Sequence, residues 1–174
     1  PESGQSLGGV PQAALDTVIV APTDVAAVDR ILTNDSDVAA VIVECNGAHY
    51  GTFPLLNPQF LQDIRDVTSK HGVVFIMDEV ITGFRLSSGG AQGRWNLEPD
   101  LTTMAKIIAG GQPGAAVGGR ADIMELMSFR DDPEWDSVGR VPQGGTFNAQ
   151  PVTAAAGTAT LHAIATQGVN ARAD

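Results

Sequence analysis

An α/β fold is predicted, with a largely parallel sheet covered by helices on both faces to make three layers. Two observations carry this. Val73-Val74-Phe75-Ile76-Met77 is apolar without alternation, as a strand covered on both sides must be, and it stops abruptly on Asp78-Glu79. On either side of it, short β-rich runs alternate with stretches of helical periodicity. In sheets of this kind ligands sit beyond the carboxyl ends of the strands, and Asp78 stands at such an end.

The elements follow in order. Residues 1–15, of which the first dozen are rich in Pro, Gly, Ser and Gln, are read as an extended arm or loop, and residues 16–174 as one folded region. Thr17-Val18-Ile19-Val20 reads as a strand. Thr23 or Asp24 then caps a helix that carries Val25, Val28 and Ile31-Leu32 on one face. Val38 to Val43 is a second strand, and Asn57 caps a helix with Phe60-Leu61, Ile64 and Val67-Thr68, closed at His71-Gly72. Val73 to Met77 is the third strand. After a glycine-rich excursion over 83–93, Leu101 to Ala105 and Ala115 to Gly119 read as short strands flanking the turn Gly110-Gly111-Gln112-Pro113-Gly114. Ala121 to Phe129 suits a helix, Arg130 to Val141 a charged loop, and Ala149 to Thr166 a helix of small residues.

Composition narrows the function classes. The net charge of -10 is scattered and no basic stripe tracks phosphates, which argues against a nucleic-acid surface. No apolar run approaches the roughly 20 residues that span a bilayer, and no basic-then-apolar leader opens the chain. A single cysteine, Cys45, excludes an internal disulfide or a multi-cysteine metal site and fits a cytoplasmic protein. No histidine pair has metal-ligand spacing.

Chemistry concentrates in two segments. Asp78 ends an apolar strand, and Lys106 interrupts the apolar stretch Met104-Ala105-Lys106-Ile107-Ile108. Enclosure of such an amine favours its neutral, nucleophilic form. One amine and one carboxylate from separate core segments are what pyridoxal phosphate requires: the amine holds the aldehyde as a Schiff base, and the anion keeps the pyridine nitrogen protonated.

Three ordered motifs extend this pair. Asp78-Glu79-Val80-Ile81-Thr82-Gly83-Phe84-Arg85, then Pro99-Asp100-Leu101-Thr102-Thr103 leading to Lys106, then Gly144-Gly145-Thr146-Phe147-Asn148-Ala149-Gln150-Pro151, resemble the class III aminotransferases, nearest to the glutamate-1-semialdehyde 2,1-aminomutase family. Gly9-Val10-Pro11, Val18 to Asp24 and Val41-Ile42-Val43-Glu44 fall in the same order.

The resemblance implies a partial aminotransferase large domain of fold type I, with pyridoxal 5'-phosphate as cofactor. It also implies transamination, or intramolecular amino transfer, on an amino acid or amino aldehyde. In its terms Lys106 is the Schiff-base and proton-shuttling lysine, Asp78 the partner of the ring nitrogen, and Val80 a residue packed on the ring. Thr146 with Gly145 binds phosphate, reaching the cofactor of the neighbouring subunit of a homodimer. The upstream phosphate loop and the small domain of that family are not found in these residues, so the chain is expected to be an internal piece. Its alternative role is then a non-catalytic scaffold or dimerisation segment.

Several residues keep a plain structural reading beside the functional one. Asp78 can cap the next turn, Glu79 can pair with a basic group beneath the site, and Thr146 can be a helix N-cap. The glutamate of Glu44-Cys45-Asn46 is usually followed by proline in the family, which sets this loop apart; Asn46, His49 and Tyr50 read as loop positions. Cys45 reads as a small buried residue and His71 as a partner of a helix carboxyl end. Trp95 and Trp135 read as local anchors.

Overall fold

The computed structural model describes residues 9–45 and 57–173, and it divides into two compact units, Pro1–Val38 and Ala39–Asp174. Asn46, His49 and Tyr50 lie outside the described residues.

In the first unit, residues 12–15 of the expected arm form one helical turn, α1 (Gln12–Leu15), entered at Pro11. The strand expected over 17–20 is not formed: Val18 and Val20 are 64% and 69% exposed. β-branched residues make a strand only where a neighbour takes up their peptide groups, and none of the described strands does so here. α2 (Val25–Asn34) follows, with Asp24 rather than Thr23 as its cap, its carboxylate accepting from the Ala26 N–H at 3.0 Å. Ala27, Val28 and Leu32 are its buried residues.

The second unit is a four-stranded mixed sheet, β1 (Ala40–Glu44), β2 (Val74–Asp78), β3 (Leu101–Ala105) and β4 (Ala115–Gly119), in that spatial order. The first three strands are parallel. β4 pairs antiparallel with β3, as the short glycine-rich connection between them allows. Between β1 and β2 lies α3 (Pro58–His71), whose ends are as its residues dictate. The Asn57 side chain accepts from the Gln59 N–H at 2.9 Å, Pro58 occupies the first turn, and Gly72 closes the helix at φ 68°. Lys70 and His71 occupy the last turn, where the positive charge of Lys70 interacts favourably with the helix dipole.

The sheet has unequal faces. Phe75 and Met77 are fully buried, and α3 lays Arg65 over the Phe75 ring at 5.5 Å. On the other face Ile42, paired with Ile76, is 60% exposed, so within this unit the second helical layer does not cover it.

Elsewhere α4 (Gly90–Trp95) fills part of the glycine-rich excursion. The helix expected over 121–129 is shorter: α5 (Ala121–Met124) tightens into a 3₁₀ turn over Glu125–Met127. Trp135 anchors the charged loop by donating to the Ser128 carbonyl at 2.8 Å beneath the Arg130 guanidinium. α6 (Pro151–Gln167) starts after its Gln150 cap, and α7 (Val169–Ala173) was not anticipated.

The far end of the sheet from Asp78 is clasped by Asp100. Its carboxylate, 4% exposed, accepts from the Phe75 N–H at 2.7 Å, from Arg65 at 2.8 Å and from Arg120 at 2.9 Å. Burial pushes this carboxyl up. The hydrogen bonds from Phe75, Arg120 and Arg65 together outweigh it and hold the group below the usual carboxylate range. The stabilisation is therefore complete above the unfolded value near 4 and is lost as pH falls through the lower folded value. Asp100→Asn is expected to cost about 3 kcal/mol at neutral pH, because Arg65 is left without its buried anion. Urea unfolding of variant and parent checks this, and the gap between them should narrow at about pH 3.

Candidate active site

Strand alternation divides the two carboxylates that end β2. Phe75, Met77 and Glu79 face one side, Ile76 and Asp78 the other.

Glu79 is 1% exposed and is met, among the described residues, by four donors and no basic side chain. These are the Ala91 N–H at 2.6 Å, the Gln92 N–H and Gln92 Nε2 at 3.0 Å, and the Thr82 hydroxyl at 3.0 Å. In place of the basic partner that the sequence allowed, the amino-terminal end of α4 meets Glu79, with unpaired N–H groups and a positive dipole that take the charge. Gly90, at φ 69°, leaves the necessary room, since a Cβ there would overlap the Glu79 carboxylate. Gln92 also donates to the Thr102 hydroxyl at 3.1 Å, which ties α4 to β3. Glu79→Gln turns one acceptor oxygen into a donor facing another donor. The expected loss is about 2 kcal/mol in thermal unfolding, with Glu79→Ala losing more.

Asp78 lies on the more open face and is half-buried. Its Oδ1 accepts from the Val80 N–H at 2.9 Å and from the Thr103 hydroxyl at 3.3 Å. The first contact is the local turn cap expected of a strand-end aspartate. The second depends on register, because Thr103 is the cross-strand partner of Asp78. Two donors on one oxygen fix the carboxylate's direction. Thr103, part of a motif but without an assigned role in the sequence, is the residue that orients it. Cys45 is fully buried beneath, its thiol donating to the Asp78 carbonyl at 3.6 Å. Burial first, and then the Glu79 charge, push that thiol up to about 12, so it is an inert packing residue.

Lys106 departs from expectation. It is not enclosed by its apolar neighbours but exposed, as the first residue of a 3₁₀ turn, Lys106–Ala109. Strand alternation ends at Ala105, and Lys106 takes φ 53°, a left-handed conformation unusual for a residue with a long side chain. Non-glycine residues held there concentrate at functional sites. The register places it three residues beyond Thr103, the partner of Asp78, which is roughly 10 Å further along the strand direction. Amine and carboxylate thus occupy the carboxyl ends of adjacent parallel strands.

Thr146 and Gly145 belong to a separate, exposed turn before α6. Its hydrogen bonds are local: Asn148 N–H to the Gly145 carbonyl at 3.0 Å, and Asn148 Nδ2 to Gln143 at 2.6 Å. Thr146 is not a helix cap. Gln150 holds that position, its side chain accepting from the Thr153 N–H at 2.6 Å. A cleft of about 460 Å³ lined by Glu79, Phe84, Gln92, Leu97 and Met104 belongs to the sheet face opposite Asp78. Among the described residues no cluster of three metal-ligating side chains occurs, and no helix is long and apolar enough to cross a membrane.

This chain belongs to the class III aminotransferase family, which it matches over residues 4–174. Its relatives include glutamate-1-semialdehyde 2,1-aminomutases from Myxococcus xanthus, 45% identical over 94% of the chain and 36% of that protein, and from Roseiflexus castenholzii, 43% identical over 92% and 36%. Among solved structures, an omega-transaminase from Sphaerobacter thermophilus superposes with a TM-score of 0.76 at 43% identity, over 90% of this chain and 34% of that one. A transaminase with pyridoxal phosphate bound gives 0.78 at 30% identity, over 94% and 37%. The chain therefore spans about a third of the length of these relatives.

Membership makes pyridoxal phosphate the cofactor against which the residues are judged, and the donor set fits it. A strand-end carboxylate aimed by two hydrogen bonds suits a protonated ring nitrogen, and an accessible lysine on the same sheet edge suits an aldehyde.

Proposed function

We propose that this chain supplies the lysine and the ring-nitrogen carboxylate of a pyridoxal-phosphate-dependent aminotransferase or aminomutase acting on an amino acid or amino aldehyde. One observation carries the reading: within a chain of this family, an oriented Asp78 and a left-handed Lys106 end neighbouring parallel strands.

Pyridoxal phosphate, when bound, supplies an aldehyde for the amine and a protonated ring that takes up the electron pair left when the substrate carbon loses its proton. Lys106 is the amine that holds the aldehyde. Displaced by substrate, it takes and returns the proton at the substrate carbon, a role that its exposed position at the end of β3 leaves open. Asp78 accepts from the ring N–H and keeps that proton in place, while the Thr103 hydroxyl holds the carboxylate in line. Val80 is half-buried beside Asp78 and offers an apolar surface to the ring. Thr146 and Gly145, exposed on their turn, are the residues we assign to the phosphate of a cofactor bound by a second copy of the chain in a homodimer.

Amino transfer between molecules and amino migration within one are separated by one experiment. The whole protein is loaded with pyridoxal phosphate and given, in one arm, ¹⁵N-labelled amino donor with an unlabelled keto acid and, in the other, a ¹⁵N-labelled amino aldehyde alone. Label appearing in the keto acid's amino product marks a transaminase, and label moved between carbons of a single amino aldehyde marks an aminomutase. Neither product forming would overturn the proposal.

A second reading, a scaffold or dimerisation segment, draws on Phe129, Val138 and Phe147, which are 71%, 79% and 79% exposed. It predicts assembly of the whole protein without amino transfer.

A further inference from the structure

The turn that carries Lys106 is gripped from one side by α6, and glycines make the grip possible. A Cβ on Gly157 would lie 2.5 Å from the Ile108 carbonyl oxygen, and a Cβ on Gly110 would overlap the Ala156 carbonyl and lie 2.7 Å from the Thr160 hydroxyl. One step on, a Cβ on Gly114 would lie 2.8 Å from the Thr153 methyl, while the Thr153 hydroxyl donates to the Pro113 carbonyl at 3.1 Å. Residues 153, 156, 157 and 160 form one face of the helix. Backbone thus meets backbone at Ile108 and Gly110, and the Thr153 side chain holds Pro113 and Gly114.

Lys106 stands just ahead of residues 108–114, at the start of the turn that they close. The 3₁₀ turn opens with Lys106 at φ 53° and closes with Gly110 at φ 61°, whose N–H donates to the Ile107 carbonyl. Of the three residues between, Ile108 and Ala109 are the ones that Gly157 faces. A side chain at position 157 must therefore push back the peptide two residues beyond the lysine, because the obstructing atom is backbone and cannot swing aside.

We infer that Gly157 is a positioning residue for Lys106, seating the lysine-bearing turn through α6. This rests on the reading of Lys106 as the cofactor-binding amine. Gly157 lies within a helix and has no positive φ to protect, so alanine there raises helix propensity, and any loss must come from displacement of the turn. Small displacements of a reacting group are costly: about 1 Å can lower a rate by roughly 100-fold.

The test uses the whole protein with pyridoxal phosphate, in parent, Gly157→Ala, Thr160→Ala and, as an exposed control on the same helix, Thr158→Ala. The rate of borohydride-trapped adduct formation at Lys106 is read by peptide mass, and kcat and KM are measured per active site. Gly157→Ala is expected to slow trapping by about tenfold or more and to lower kcat by roughly 10- to 100-fold with KM nearly unchanged. Thr160→Ala, which loosens the seat without overfilling it, should move the same quantities less, and it decides the matter if Gly157→Ala does not fold. Parent rates of trapping and turnover in the folded variants would overturn the inference while leaving the role of Lys106 intact. A parent protein that forms no adduct at Lys106 would overturn that role and this inference with it.

Discussion

Lys106→Ala is expected to lower amino transfer by roughly 10⁴-fold while leaving the fold intact. On the proposed reading, covalent attachment and proton transfer meet in one amine, and a positioned acid-base group alone contributes about 10²- to 10⁴-fold. The side chain is exposed, at the end of β3, so its removal leaves no cavity and strands no buried partner. The left-handed conformation adds a second, smaller effect. Alanine at φ 53° is strained as lysine is, whereas glycine there is not. Lys106→Gly should therefore be as inactive as Lys106→Ala and somewhat more stable. Thermal unfolding beside steady-state rates checks both statements, and a Lys106→Ala protein with more than about a tenth of parent activity would contradict the assignment.

Asp78→Asn carries the next largest effect. Asparagine has the same shape and can still accept from the Val80 N–H and the Thr103 hydroxyl, so the end of β2 should persist. The negative charge is lost, and with it the charge-assisted bond that, on the proposed reading, keeps the ring nitrogen protonated. Loss of one such preorganised electrostatic contact costs about 3–4 kcal/mol, or roughly 10²- to 10³-fold in kcat. Thr103→Val keeps the charge but removes one of the two donors that aim it, and a loss of about tenfold is expected. Asp78→Asn at parent activity would show that the carboxylate only caps its turn.

The parts of this structure legible in the sequence are those fixed by near neighbours. The caps of α3, Asn57 and Gly72, stand one residue outside the helix that they end. The unbroken apolar run of β2 and its stop at Asp78 were equally plain. What was not legible depends on residues far apart. Asp100 meets Arg65 across 35 positions, and no periodicity announces such a pair. Glu79 meets the backbone of α4 rather than a basic side chain, because a helix starts inside the glycine-rich excursion, where no periodicity marks it. Thr17 to Val20 has strand composition but no neighbour to pair with among the described strands. Lys106 sat in an apolar stretch that suggested enclosure, and only the backbone turn at φ 53° carries it outward. Both carboxylates were named from the sequence, and the Thr103 hydroxyl that orients Asp78 became visible only with the register of β2 and β3.

Of all these expectations, the covalent one is tested most directly. Lys70 and Lys106 are the two lysines of the sequence. When the whole protein is incubated with pyridoxal phosphate, reduced with borohydride, digested and sequenced by mass, the pyridoxyl group should be found on the peptide containing Met104 to Ile108, at Lys106. Label on Lys70 or elsewhere with none at Lys106 would contradict the account.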